Sequence, residues 1–152
     1  MKLFSLTERR AFTMLELLVV ITIIATLATI STFSYRATLI SSRDARRKSD
    51  IEQIRGALEL YRSNNNIYPA TLSTTCGSTT GLTDGGGNTY MSVIPKDPQC
   101  TAQQYYYVQL SSGADYTLGA DLETTGTSSC GDCSATAGTQ VCNYCMGPYG
   151  SK

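Results

Sequence analysis

From Leu17 to Tyr35 the chain runs for nineteen residues without a charged side chain, directly after an isolated acid, Glu16. As a helix rising ~1.5 Å per residue this stretch is ~28 Å long, close to the ~30 Å hydrocarbon core of a bilayer. Its hydroxyls (Thr22, Thr26, Thr29, Ser31, Thr32 and Ser34) do not forbid such a helix. They can bond back to carbonyls one turn earlier. No breaker follows: the first proline is Pro69, and the only glycine before it is Gly56. Beyond Arg36 the pattern becomes amphipathic. Ile51, Ile54, Leu58 and Tyr61 recur at steps of three and four, with Ile40 and Ala57 near the same stripe. One continuous helix from about Phe12 to Ser63 is expected, apolar all round in its first half and amphipathic in its second. Asn64-Asn65-Asn66 and then Tyr68-Pro69 should end it, since Asn tolerates a left-handed cap and Pro cannot continue a helix.

The charged residues interleaved with the stripe (Arg43, Asp44, Arg46, Arg47, Lys48, Asp50, Glu52, Arg55 and Glu59) read as a solvated helix face. Contact with phospholipid headgroups just past the apolar segment is the alternative. Over the whole chain 12 basic residues balance 12 acidic ones, and there is no histidine. That excludes Ser-His-Asp and Cys-His catalysis and zinc sites built on imidazole. Charged residues are only 16% of the chain, and 16 serines and 21 threonines supply much of its polarity.

Residues 64–152 read as a small head in three parts. The first, 64–104, is a loop region. The second, 105–122, is a β-hairpin of strands Tyr105 to Leu110 and Tyr116 to Leu122, with turn chemistry in Ser111-Ser112-Gly113-Ala114-Asp115. The third, 123–152, is an irregular, cysteine-rich tail with a weaker strand signal around Thr139 to Tyr144. The expected fold class is α+β: a long N-terminal helix packed on a small antiparallel sheet with cysteine-stapled loops.

Three processing readings compete at the N-terminus, where Lys2, Arg9 and Arg10 precede the apolar run. One is a secretory signal cut near Thr26-Leu27-Ala28; another is a twin-arginine export signal from Arg9-Arg10-Ala11-Phe12. The third is a short leader removed ahead of the apolar run, so that the run is kept. Glu16 favours the third, because a carboxylate in an apolar insertion segment costs ~2.5 kcal/mol or more. A disposable signal has no use for that cost, whereas a retained helix can use the acid as an intramembrane functional group. The helical continuation to Tyr61 also argues for retention.

The stretch Arg9-Arg10-Ala11-Phe12-Thr13-Met14-Leu15-Glu16-Leu17-Leu18-Val19-Val20-Ile21 resembles the signal of type IV pilins and type II secretion pseudopilins. Tyr68-Pro69, Ile94-Pro95-Lys96-Asp97-Pro98 and Asp115-Tyr116-Thr117-Leu118-Gly119-Ala120-Asp121 are more loosely similar to pseudopilin heads. The resemblance implies a leader of residues 1–11, cut between Ala11 and Phe12 by a prepilin peptidase. Phe12 becomes the N-terminus, carries an N-methyl group that keeps the ammonium charge, and makes Glu16 the fifth residue. Residues 12–35 would be the transmembrane and assembly half of the helix and residues 36–63 its amphipathic half. Two positions depart from the family pattern: Ala11 stands where Gly is usual, and Phe33 where many members have Pro.

What the resemblance implies is a structural filament subunit, not an enzyme. It would first span the bacterial inner membrane once, in contact with lipid. An assembly platform would then polymerise it, with itself or with other pilins, into an extracellular or periplasmic filament. There Glu16 would be compensated by the Phe12 ammonium of a neighbour, fixing register. Processing would change the side-chain charge from 0 to −2. The head beyond Ser63 has two basic residues against six acidic ones, so it is not expected to bind nucleic acid.

Cys130-Gly131-Asp132-Cys133 and Cys142-Asn143-Tyr144-Cys145 form two C-x2-C pairs. Such pairs serve as disulfides, as a tetrathiolate zinc site, or as redox motifs. An exported location favours disulfides, with connectivity inside 130–145 open. A bridge between Cys76 and Cys100 would close a loop of ~25 residues, worth ~3 kcal/mol on the chain-entropy model. A modest core needs such staples. A membrane-tethered zinc or redox module is the alternative function. An exported enzyme is a third, but it lacks a nucleophile–base constellation. No cofactor is expected. Pseudopilin heads can hold calcium in loops, but Asp84, Asp97, Asp115, Asp121 and Glu123 lack EF-hand spacing and read as scattered solvated acids.

Overall fold

A computed structural model describes residues 12–124, 128–134 and 141–152, with the backbone alone at 31–34. Residues 1–11, including Ala11, lie outside the described residues, as does the start of the third strand expected near Thr139. The chain forms two compact units, Met1–Leu39 and Ile40–Lys152. Helix α1, Met14–Asn65, contributes to both.

In the first unit every described side chain from Phe12 to Leu39 is exposed. Leu17, Ile24 and Leu27 are more than half accessible. The helix is long and apolar enough to cross a membrane, judged by length and composition. The hydroxyls of Thr22, Thr26 and Thr29 each donate to a carbonyl one turn back (Val19, Ile23 and Ala25) at 2.8 Å. Polar groups that would be expensive in hydrocarbon are thus satisfied within the helix.

In the second unit the stripe read from the sequence is the core face. Ile51, Ile54 and Leu58 are fully buried, each contributing ~1.5–3 kcal/mol relative to exposure. Tyr61 packs at the cluster's margin. The helix runs two residues past the expected Ser63, and Asn66, at φ 61°, turns the chain out in the left-handed conformation. The Asn66 N–H bonds the Arg62 carbonyl at 2.7 Å. Tyr68-Pro69 is then fastened to the hairpin. The Tyr68 N–H donates to the Gly113 carbonyl at 2.9 Å, and the Tyr107 hydroxyl donates to the Pro69 carbonyl at 2.6 Å.

The stretch 64–104 is more than loop: strands β1, Leu82–Thr83, and β2, Thr89–Met91, pair antiparallel around an Asp84-Gly85-Gly86-Gly87-Asn88 turn. Strands β3, Tyr106–Leu110, and β4, Asp115–Ala120, form the expected hairpin, with Tyr106 opposite Gly119 and Leu110 opposite Asp115. Its 3-10 turn takes Ser111, Ser112 and Gly113 through φ values of 49°, 54° and 94°. The tail is also more regular than expected. Strand β5, Tyr144–Gly147, pairs antiparallel with β4, and β6, Gly150–Ser151, pairs with β5. The strand thus begins where the sequence signal ended. The four-stranded order is β3-β4-β5-β6, antiparallel throughout. Tyr116, Leu118, Ala120 and Met146 cover the helix stripe, together with Tyr68 and Tyr105.

Candidate functional site

At the start of α1 the sequence Thr13-Met14-Leu15-Glu16 has the form of a capping box. The Glu16 N–H donates to the Thr13 hydroxyl oxygen at 3.2 Å, and the Glu16 carboxylate lies 3.5 Å from both the Thr13 backbone nitrogen and its hydroxyl. A carboxylate in the first turn is also favoured by the helix dipole. Phe12, one residue earlier, is 81% exposed. Within one chain, therefore, the described bonds of Glu16 go to Thr13, and the acid and Phe12 stand at the exposed tip of an uncovered apolar helix.

The charged cluster farther along α1 is not simply a solvated face. Arg47 is completely buried. Its Nε and one terminal nitrogen fork onto the two oxygens of Asp97 at 2.8 and 3.2 Å. The other terminal nitrogen reaches Asp44 at 2.8 Å and Glu123 at 3.0 Å. Gln99 and Gln103 side-chain oxygens accept from the same guanidinium at 3.1 and 2.8 Å. Arg43 pairs with Glu123 from the outer side. Asp44 in turn accepts the backbone N–H groups of Glu123 and Thr124, both at 2.9 Å, and the Thr124 hydroxyl at 2.7 Å. One side chain thus ties the helix to the segment before β3 and the segment after β4.

Burial opposes the charge on Arg47, but the hydrogen bonds it donates to Asp97, Glu123 and Asp44 outweigh it and raise its pKa further. Burial likewise opposes the charge on Asp44, yet Thr124, Glu123 and Arg47 hold it below the usual carboxylate value. Arg43, with help from Arg47, lowers Glu123. Burial pushes Asp50 up, against the hydroxyl of Tyr105 donating at 2.7 Å. A signal for the hub was in the sequence: Arg47 stands four residues before Ile51 and seven before Ile54, on the apolar stripe itself. An arginine there must be buried and paired.

The acids read as scattered and solvated divide differently. Asp97 and Glu123 belong to the Arg47 hub, and Asp115 binds Lys152 at 2.8 Å. Asp121 accepts from Gln103 at 3.0 Å. Asp84 closes its own turn by accepting from Gly86, Asn88 and the Tyr90 hydroxyl, of which Tyr90 contributes most to lowering its pKa. Among the described residues no group of three or more acids or cysteines is arranged to hold a metal ion.

All six cysteines are oxidised: Cys76–Cys100, Cys130–Cys145 and Cys133–Cys142. In this state they have no thiolate to offer zinc. The two C-x2-C segments run antiparallel, with a bridge between Asp132 and Val141. The Cys142 N–H bonds the Gly131 carbonyl at 2.9 Å. Both bridges lie against β4 at Gly119, where an added Cβ would fall 2.9 Å from the Cys130 sulfur and 3.0 Å from the Cys142 Cβ.

Two family models match the chain. The prokaryotic N-terminal methylation motif covers residues 6–32. The model for type II secretion system (T2SS) protein G covers residues 37–135. No curated protein and no solved structure matches. The first match covers the apolar helix with its Phe12 and Glu16, the second the amphipathic half and most of the disulfide-stapled head. With more than half its length matched, this chain belongs to the type II secretion system protein G family of pilin-like structural filament subunits.

Proposed function

We propose that the chain is made with leader 1–11, cut between Ala11 and Phe12, methylated at the new amine and anchored through residues 12–35 in the inner membrane. An assembly platform then withdraws it into a filament, where neighbouring helices replace lipid around the same surface. The Glu16 carboxylate leaves its Thr13 cap to meet the Phe12 ammonium of a neighbour. Such a pair costs desolvation, and its value is axial register. The amphipathic half 36–63 carries the head, residues 64–152, on the filament exterior.

The observation that carries this reading is the uncovered apolar surface of α1 from Phe12 to Leu39, joined to a head with its own closed core. A contiguous apolar surface of that kind marks a membrane or a protein partner. Lipid supplies the first cover and copies of the subunit the second. The test is the intact mass of the protein from cells that assemble filaments. A mature chain beginning at Phe12 and heavier by one methyl group is expected; a chain beginning after Ala28, or retaining Met1, overturns the reading.

A further inference from the structure

We propose that this chain is a substrate of a dithiol–disulfide isomerase, because the nested bridges Cys130–Cys145 and Cys133–Cys142 depend on tertiary structure that a newly oxidised chain lacks. The antiparallel ribbon of residues 130–132 against 141–142 sets the first cysteine of one C-x2-C against the last of the other. Cys145 sits in β5 opposite Gly119 of β4, and the missing Cβ at Gly119 is the space into which Cys130 and Cys142 pack. The native bridges are therefore favoured only once β4 and β5 have paired.

Before that pairing, chain statistics favour the wrong bonds. Cys130 and Cys145 are 15 residues apart and Cys133 and Cys142 are 9 apart, whereas each C-x2-C pair is separated by only three. Closure probability falling with the three-halves power of separation favours the local bridges by roughly tenfold and roughly fivefold. An oxidase acting on the extended chain removes four electrons and four protons from the four thiols and leaves Cys130–Cys133 and Cys142–Cys145. No further oxidant is then needed. The isomerase thiolate attacks the Cys133 sulfur, forming a mixed disulfide and releasing the Cys130 thiolate. Cys130 attacks Cys145, forming the first native bridge and releasing Cys142. Cys142 attacks Cys133, forming the second and returning the isomerase thiolate. Two disulfides enter and two leave.

The test uses the full chain in detergent, reduced in denaturant and then returned to folding conditions with diamide. Diamide takes two electrons and two protons per bridge and leaves no thiol to reshuffle. Cleavage before Asp132 and after Tyr144 separates the two pairings by mass. Native pairing leaves 132–144 bridged internally and links the Cys130 peptide to the Cys145 peptide; local pairing links all three. Diamide alone should give mainly the three-peptide species, and, once the diamide has been removed, a catalytic amount of reduced isomerase should raise the native species by about tenfold at unchanged thiol count. The double variant Cys130→Ser/Cys145→Ser, left with the sequential pair Cys133 and Cys142, should gain little. Native pairing from diamide alone, no conversion by the isomerase, or equal dependence in the double variant would each overturn the proposal.

Discussion

Arg47 and Asp97, fifty residues apart, meet inside the head with Nε 2.8 Å from Oδ2 and both side chains essentially excluded from solvent. The pair is held in a shell of Asp44, Glu123, Gln99 and Gln103, so neither charge lacks a partner. Arg47 also stands on the apolar stripe of α1, so the amphipathic half of the helix is latched to the head by a guanidinium as well as by Ile51, Ile54 and Leu58.

Replacing Arg47 with Met keeps much of the side-chain volume but leaves Asp44 and Asp97 buried without their cation. Breaking such a pair costs about 3–5 kcal/mol. Urea unfolding of the full chain in detergent, followed by tyrosine fluorescence, should show a loss of that size. Arg47→Lys should recover only part, because an ammonium cannot reproduce the fork onto Asp97. Full stability in Arg47→Met would mean the hub is dispensable.

The same hub predicts an acid limit. Asp44 and Glu123 have folded-state pKa values below their ordinary ones, so the stability they contribute is fully present above the unfolded value near ~4 and is lost as pH falls through the lower folded values. Asp50, shifted upward, acts in the opposite sense and offsets part of the loss. Thermal midpoints should be level from pH 7 to about pH 5 and fall below about pH 4. The fall should be shallower in Arg47→Met. Identical profiles for the two proteins would sever the acid response from the hub.

Gly119 should not accept a side chain. An alanine Cβ would crowd the Cys130 sulfur and the Cys142 Cβ at about van der Waals overlap, an overpacking worth about 1–3 kcal/mol. Since the clash is with bridged cysteines, Gly119→Ala should lower the thermal midpoint of the oxidised protein more than that of the reduced protein. Equal effects in both states would show that the contact has another origin.

If Glu16 pairs with a neighbour's Phe12 ammonium as proposed, Glu16→Ala should leave membrane insertion unchanged or improved and deplete filaments, because the lipid-embedded helix would lose a costly acid while the assembled one would lose half of a buried pair, about 3–5 kcal/mol. Glu16→Gln keeps shape and hydrogen bonding without charge, and a defect there assigns the effect to the charge. Thr13→Val is the companion, since it removes the hydroxyl that Glu16 contacts within its own chain. Sheared filament relative to membrane-bound subunit is the readout, with leader cleavage scored separately. Normal filament yield from Glu16→Ala would leave the acid without an assembly role.

The amino-acid order alone determined the elements whose cause is local. Nineteen uncharged residues dictate an apolar helix, Asn66 supplies its left-handed stop, and Tyr105 to Leu122 sets strand formers on either side of a turn that Ser and Gly can make. Spacing also marked Ile51, Ile54 and Leu58 as the core face, because helical periodicity needs only neighbours in sequence. What spacing does not carry is which distant groups meet. Strand β5 emerges because Tyr144, Cys145 and Met146 find Ala120, Gly119 and Leu118, and two-residue strands such as β1 and β6 have no signal apart from their partners. The choice among three pairings of four cysteines was made by the antiparallel ribbon at Asp132 and Val141 and by the room that the absent Cβ of Gly119 leaves for Cys130 and Cys142. Spacing puts Arg47 on the stripe and so marks it for burial, but it does not name the acids that meet it: Asp97 and Glu123 arrive from elsewhere in the chain. A buried ion's cost and its compensation both come from the tertiary environment, so only the folded head could make it a hub.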